Sequence, residues 1–262
     1  ASGRAFASNK LSIAEIMFAD FATLIVDQLH NGVDKYKKMF GNSLRIPLIV
    51  RLPYGMGRGY GPTHSQSPFE IFSGLSEVLS ISYTPLIDYE ALIKNIELQG
   101  SSAIVYEPKL FYGDKIEDWT NLIKDFESQI IPGALVGNYL FTKGVNPKCL
   151  VITHGSFAKV TIEAAKDLSV DIQVLVVNEL YSRSSYLDFK LEGDLPLVIV
   201  EESNCDYGPL SVSISKELML KKSCRDVVKN KHVTNIPANS VWEQDLMISK
   251  KVVSDLIERV LQ

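Results

Sequence analysis

His64, Ser65 and Gln66 are the residues whose types best suit chemistry. They close a run in which Gly55, Gly57, Gly59 and Gly61 alternate with larger residues. Imidazole titrates near neutrality, so His64 suits proton transfer or stabilisation of developing charge. The competing reading is a loop histidine that only bonds neighbouring backbone. The small residues before it let the chain turn sharply and approach a ligand closely. Asp20, between Phe18 and Phe21, is either a helix N-cap or a ligand contact. Phe21 is either a stacking platform for a flat ring or a core aromatic. Glu201-Glu202 reads as an acid pair or as exposed carboxylates at a strand end. His30 lies within a helical pattern and His232 in a charged turn, neither with a clear partner. Other chemistries fail on spacing. A Gly-x-Gly-x-x-Gly fingerprint fits residues 57–62 only if Pro62 is ignored, and no Gly-Lys-Ser/Thr follows for a phosphate loop. Ser156 lacks the Gly-x-Ser-x-Gly elbow of hydrolases.

The elements that must position these groups alternate along the chain. Ser12 to Phe18 reads as a strand and Ala19 to Phe40 as a long helix, with Phe21, Leu24, Ile25, Leu29, Val33 and Tyr36 at helical spacing. Leu48 to Leu52 is a strand leading into the glycine run. A short helix (Pro68 to Gly74), a strand (Val78 to Tyr83), a helix (Pro85 to Leu98) and a strand (Ala103 to Tyr106) follow. Residues 109 to about 145, with Pro132-Gly133 and Gly144 to Pro147, break the pattern and read as a linker and entry to a second domain. Beyond it come strands at Leu150–His154, Ile172–Val177, Leu197–Val200 and Val233–Ile236. Helices are expected at Phe157–Leu168 and Pro209–Lys221, with a closing amphipathic helix over Gln244–Leu261. This order predicts an α/β protein with mostly parallel sheets covered by helices, and chemistry at the carboxyl ends of strands.

The chain has 262 residues, is 46% hydrophobic and carries a formal charge of −4. That length fits one large domain or two ordinary ones. Scattered Lys and Arg with net negative charge argue against a nucleic-acid surface. No apolar stretch reaches the length of a membrane span. The start, ASGRAFASNK, lacks the apolar centre of a signal peptide. It enters a strand as if a packed helix ended there, so upstream sequence or a covering partner is expected. Cys149, Cys205 and Cys224 are odd in number and far apart, which fits reduced structural thiols.

Residues 14–21 (AEIMFADF) with Asp27-Gln28 resemble a signature of the β subunit of thiamine-diphosphate-dependent 2-oxoacid dehydrogenases, the pyruvate and branched-chain enzymes among them. Lys35-Tyr36, the strand from Pro47 to Gly55, Gly59 with His64-Ser65-Gln66-Ser67, and Glu107-Pro108-Lys109 with Tyr112-Gly113 agree in order and spacing. The likeness covers residues 1–113. It continues more weakly through His154-Gly155-Ser156 and the closing helix, which resemble the C-terminal domain of transketolase.

The resemblance implies a pyrimidine-binding transketolase-like domain (1–113, without its N-terminal part), a linker (114–145) and a transketolase C-terminal-like domain (146–262). It implies thiamine diphosphate with magnesium held by a partner α subunit, an α2β2 assembly, and oxidative decarboxylation of a 2-oxoacid with acyl transfer to a lipoyl-bearing acyltransferase. By the same likeness His64 is the active-site histidine, while Met17 and Phe21 line the pyrimidine. Leu48, Ile96, Glu97, Gln99 and Ser101 match a monovalent-cation (potassium) site. The expected location is the cytoplasm, or the mitochondrial matrix in a eukaryote. Several positions depart from the family pattern. Met17 stands where some members have glutamine, Phe21 where some have tyrosine, and Gln99 where an aspartate binds the cation. Asn178-Glu179-Leu180-Tyr181 replaces an Asp-Leu-Arg-Thr run, and Glu201-Glu202 a His-Glu pair. The family's pyrimidine-contacting glutamate falls upstream of Ala1. Alternatives are a transketolase-like or acyloin-forming subunit, or a non-catalytic scaffold that keeps the fold.

Overall fold

The computed structural model describes residues 1–41, 44–181, 195–204, 208–211, 224–229 and 236–262. Two sheets organise it. The first contains β1 (Ser12–Glu15), β2 (Leu48–Tyr54), β3 (Val78–Ser82) and β4 (Ser102–Pro108), all parallel, in the order β1-β2-β4-β3. The second is built from β5 (Glu127–Ile131), β6 (Asn138–Lys143), β7 (Leu150–Thr153), β8 (Ile172–Val176), β10 (Leu197–Glu201) and β11 (Cys224–Lys229), in the order β11-β10-β7-β8-β6-β5. β5 and β6 run antiparallel to their neighbours and the rest are parallel. A two-residue strand, β9 (Glu179–Leu180), leaves the second half of the chain and pairs antiparallel with β3 of the first sheet.

Period-two alternation divides the core. In β2, Leu48, Val50 and Leu52 face one cluster and Ile49 the other. In β7, Leu150 and Ile152 join the cluster of Leu48 and Val50, while Val151 packs with the helices Phe157–Asp167 and Lys250–Leu261. One apolar cluster is therefore shared by an inner face of each sheet, and each outer face has its own cover. The helix Tyr89–Gln99 covers the far side of the first sheet through Leu92 and Ile96. Asp88 caps its start by accepting from the Ala91 N–H at 3.0 Å, and left-handed Gly100 ends it.

Four expectations change. The first strand stops at Glu15, so Phe18 leaves the sheet. The long helix over 19–40 is broken into a 3-10 segment (Ala19–Ile25), a short α segment (Val26–Leu29), a π segment (His30–Lys35) and a last α turn (Tyr36–Met39). β-branched Thr23, Ile25 and Val26, and Gly32 inside the π segment, are weak helix formers at the breaks. The stretch 114–145, read as a linker, instead carries the helix Ile116–Ile123 and the edge hairpin β5–β6 of the second sheet. Its Pro132-Gly133 and Gly144 to Pro147 signals fall between β5 and β6 and between β6 and β7 of that sheet. The closing helix is two helices, Ser240–Leu246 and Lys250–Leu261, because Ile248 buries and Ser249 caps the second by accepting from the Val252 N–H. The expected helix over 209–221, strand over 233–236, Cys205 and His232 lie largely or wholly outside the described residues. No helix among the described residues is long and apolar enough to cross a membrane.

Candidate functional site

The site gathers where β1, β2 and β4 end on the same edge. β2 and β4 are in register through Tyr54 and Pro108, so their exits lie side by side. Arg51 locks them together by donating to both oxygens of Glu107 at 2.7 Å each, a bidentate pair of the strong kind. Tyr112 also donates to that carboxylate, at 3.1 Å. Past this lock β2 runs into the glycine loop and β4 into Lys109.

An aromatic cluster surrounds His64. The edges of Phe18 and Phe21 meet its ring at centroid distances of 4.6 and 5.3 Å, almost perpendicular. Tyr60 also packs on Phe18, at a centroid distance of 5.7 Å. Nδ1 of His64 is 2.8 Å from the Thr63 hydroxyl. Phe18 reaches His64 only because β1 ends early and its backbone stays extended before the 3-10 turn. Phe21 is 36% exposed and Met17 71% exposed. Phe21 is thus not a core aromatic; much of its ring surface stays open.

Asp20 is not the helix cap. Phe18 occupies the cap position, without a side-chain cap bond. Asp20 instead accepts from the Gln66 N–H at 3.2 Å, tying the first strand's exit to the His64 loop. Its other oxygen is buried without a hydrogen-bond partner among the described residues. Burial pushes the carboxyl above its ordinary range, against the pull of the Gln66 amide and the Lys109 charge.

Lys109 is buried beneath the loop. Its ammonium donates to the His64 carbonyl and lies 4.9 Å from the Phe18 ring centre and 5.1 Å from that of Tyr60. Burial pushes its pKa down to about 8, although Asp20, Glu243 and Glu202 favour the charged form. Glu243, from the helix Ser240–Leu246, accepts from the N–H groups of Gly57, Gly59 and Gly61 and from the Ser65 hydroxyl. Glu243 fell just outside the expected closing helix. The signal that could have found it is the glycine spacing itself: residues that turn left-handed at every second position aim their amides inward as an anion-binding concavity.

The strand ends of the second sheet supply a different environment. Glu201 and Glu202 are buried, not exposed. Glu201 accepts from the Leu210 and Ser211 amides at 2.9 and 3.2 Å. Glu202 accepts from the Ser67 hydroxyl at 2.5 Å and from the Ser156 hydroxyl, and burial pushes it up to about 7. Ser156 is therefore committed to a carboxylate rather than free as a nucleophile. His154 is fully buried against Phe69 and Ser82, and burial pushes it down to about 3. Cys149 is buried and its thiol is pushed up to about 12, as for an inert structural cysteine.

The residues matched to a cation site are spread along the ends of β2, β4 and the helix Tyr89–Gln99. Leu48 and Ile96 are buried. The Glu97 and Leu98 carbonyls accept from the Arg45 guanidinium at 2.6 and 3.1 Å, and the Ile96 carbonyl accepts from the Ser101 N–H. Gln99 donates to the Ala134 carbonyl at 2.9 Å, and Ser101 donates to Gln99. Among the matched positions Arg45 already occupies the Glu97 carbonyl, and an amide stands at Gln99 where a hard cation prefers a carboxylate. No cluster of His, Cys, Asp and Glu suited to a metal occurs among the described residues.

These two sheets have the transketolase-type fold. A split-gene transketolase described as an inactive beta4 tetramer superposes with a TM-score of 0.65 over 99% of this chain and 79% of its own, at 14% identity. A Pichia stipitis transketolase gives 0.61 over 95% and 34%, also at 14%. In sequence, the chain is similar to β subunits of 2-oxoacid dehydrogenases and of an acetoin oxidoreductase. The 2-oxoisovalerate dehydrogenase subunit beta of Pseudomonas aeruginosa is 25% identical over 215 residues, which is 78% of this chain and 61% of that protein. The mitochondrial counterpart from Dictyostelium discoideum is 38% identical over 111 residues, 40% and 29% of the two chains. The beta subunit of the acetoin:2,6-dichlorophenolindophenol oxidoreductase of Bacillus subtilis is 30% identical over 105 residues, 40% and 31%. The matched regions span from 29% to 61% of these curated relatives. No family model matches the chain.

Proposed function

We propose that this chain is the β-type subunit of a thiamine-diphosphate-dependent 2-oxoacid dehydrogenase, supplying one wall of a cofactor pocket that an α subunit completes in an α2β2 assembly. The observation that carries the reading is the open aromatic cluster: His64 packs nearly perpendicular to both Phe18 and Phe21, and Phe21 is partly exposed. Apolar groups left open around a histidine at a strand exit fit a pocket wall closed by another surface. The partly exposed Phe21 ring and the exposed Met17 thioether, with a buried, unpartnered oxygen on nearby Asp20, fit the side of an aminopyrimidine. These residues do not supply a diphosphate or magnesium site, which the reading assigns to the α subunit.

Thiamine diphosphate supplies the electron sink for decarboxylation. This chain's residues orient and move protons around it. Thr63 engages Nδ1 of His64 and fixes the ring, leaving Nε2 to exchange a proton with substrate or with the lipoyl arm during acyl transfer. Lys109 holds the His64 backbone in place and sets a positive charge behind the aromatic wall, which favours an anionic 2-oxoacid. The first assay is coexpression with the cognate α subunit, magnesium and thiamine diphosphate, scored for decarboxylation of branched-chain 2-oxoacids and pyruvate and for lipoyl acylation. Activity that collapses in His64→Ala supports the reading. No turnover of any 2-oxoacid, or lipoyl acylation unchanged in His64→Ala, would overturn it. Because one relative is a subunit of an acetoin oxidoreductase, acetoin forms a second arm: turnover there alone moves the assignment to that substrate.

A further inference from the structure

The glycine loop between β2 and Ser67 is closed by the Gly55 N–H donating to the Gln66 carbonyl at 3.1 Å and by Gln66 donating to the Pro62 carbonyl at 2.6 Å, but its glycines lack side chains to pin it. Gly55, Gly57, Gly59 and Gly61 all take positive φ, from 74° to 99°. Such residues lose the most backbone freedom on ordering. Besides Lys109 on the His64 carbonyl and Asp20 on the Gln66 amide, the loop is held from the far end of the chain. Oε2 of Glu243 accepts from the Gly57 and Gly59 amides at 2.8 and 2.7 Å. Oε1 accepts from the Gly61 amide at 3.1 Å and the Ser65 hydroxyl at 2.6 Å. Gly61 and Ser65 bracket His64, whose own N–H donates to the Gly61 carbonyl at 3.2 Å. The carboxylate thus grips both ends of the turn that presents the imidazole.

The packing requires the same partner. A Cβ on Gly59 would lie 2.6 Å from the Ser240 backbone nitrogen and one on Gly61 3.1 Å from the Ala238 Cβ. The alternating glycines therefore serve two ends: they aim amides at Glu243 and let the segment carrying Glu243 approach. Burial alone would favour the neutral acid, but the Ser65 hydroxyl and the three amides outweigh it, so the carboxyl is held below its ordinary range.

We propose that Glu243 is a positioning residue for His64: the second half of the chain sets the active-site loop by placing one ionised carboxylate in the glycine-amide concavity. Its bearing on catalysis rests on the reading of His64 given above; its hold on the loop does not. All four partners are donors, so an isosteric amide is the wrong occupant, since its NH2 would face two of them.

The test is hydrogen–deuterium exchange of the peptide covering residues 55–66 in the full-length protein, alongside kcat and KM of the assembled enzyme. Glu243→Gln and Glu243→Ala are expected to speed loop exchange at least ten-fold while the strand peptide 102–108 keeps its protection, and to lower kcat with KM little changed. Added acetate is expected to restore protection in Glu243→Ala, where a cavity is open, and not in Glu243→Gln, where it is filled. Unchanged loop exchange, an equal rise at 102–108, or no response of Glu243→Ala to acetate overturns the proposal. Should neither variant fold, Glu243→Asp decides: intermediate exchange supports the clamp and native exchange overturns it. Faster exchange with unaltered kcat, while His64→Ala still loses activity, leaves the clamp on the loop and overturns its role in positioning His64. Native exchange in Glu243→Gln, with activity still lost in His64→Ala, removes the clamp alone.

Discussion

His64 and His154 follow parallel strands of the two sheets at corresponding ends, and they have become different objects. His64 is half-buried in a glycine loop, edge-on to Phe18 and Phe21, with one nitrogen on Thr63. His154 has no exposure, packs on Phe69, and leaves Nε2 buried without a partner among the described residues. Burial drives its pKa to about 3, so it stays neutral through the physiological range. Position at a strand exit makes chemistry available to a residue; solvent access decides whether the residue can use it.

The sharpest break of this comparison is a pair of alanine substitutions. His64→Ala is expected to lower lipoyl acylation by the assembled enzyme ~10²–10⁴-fold, while its unfolding free energy changes by no more than ~0.5 kcal/mol. His154→Ala is expected to do the reverse, destabilising by ~2–3 kcal/mol because it empties a buried, aromatic-lined position. Its activity per folded molecule should stay within a few-fold of the parent. If both substitutions abolish activity at unchanged stability, the contrast fails.

Gly59→Ala probes the loop side alone. The added methyl meets the Ser240 backbone at 2.6 Å, at a φ of +78°. A cost of about 2 kcal/mol is expected in chemical denaturation, with lost turnover because the His64 turn is displaced. Gly74→Ala, where a Cβ meets nothing within 4 Å, is the matched control.

The smallest effect concerns the second sheet's end. Glu202 is buried with its pKa raised to about 7, so the native state holds a proton that the unfolded chain releases near its ordinary value. Stability from this group is full below the unfolded pKa and is lost as pH rises through about 7. Glu202→Gln should flatten that decline, changing the difference in stability between pH 5 and pH 8 by ~1–2 kcal/mol in paired denaturation curves. Glu243, depressed rather than raised, contributes with the opposite sign and loses its hold as pH falls.

Much of the fold was legible because apolar runs and turn residues act locally. β2, β4, β7, β8 and β10 lie where their hydrophobic runs placed them, within a few residues. The misreadings share a cause. In the stretch 114–145, strand Glu127–Ile131 is exposed at four of its five positions, so a periodicity test sees a polar segment. Only pairing to β6 makes it a strand. The helix over 19–40 has apolar residues at helical spacing, yet tertiary packing and Gly32 break it. Asp20 carried a capping signal in its residue type, but Phe18 takes the cap and the Gln66 amide takes the carboxylate.

By itself the sequence determined the repeating α/β order, the glycine loop with His64 at its end, and the likeness of residues 1–113 to a family of β subunits. Those are properties of neighbours along the chain, which periodicity and local motif record. Tertiary structure alone decided that Glu243 fills the loop's amides, that Lys109 lies under His64, and that Glu201, Glu202 and His154 are buried. Burial and pairing between residues as far apart as Gly57 and Glu243 arise only when the sheets close on one another. Charge state follows from that enclosure, not from residue type.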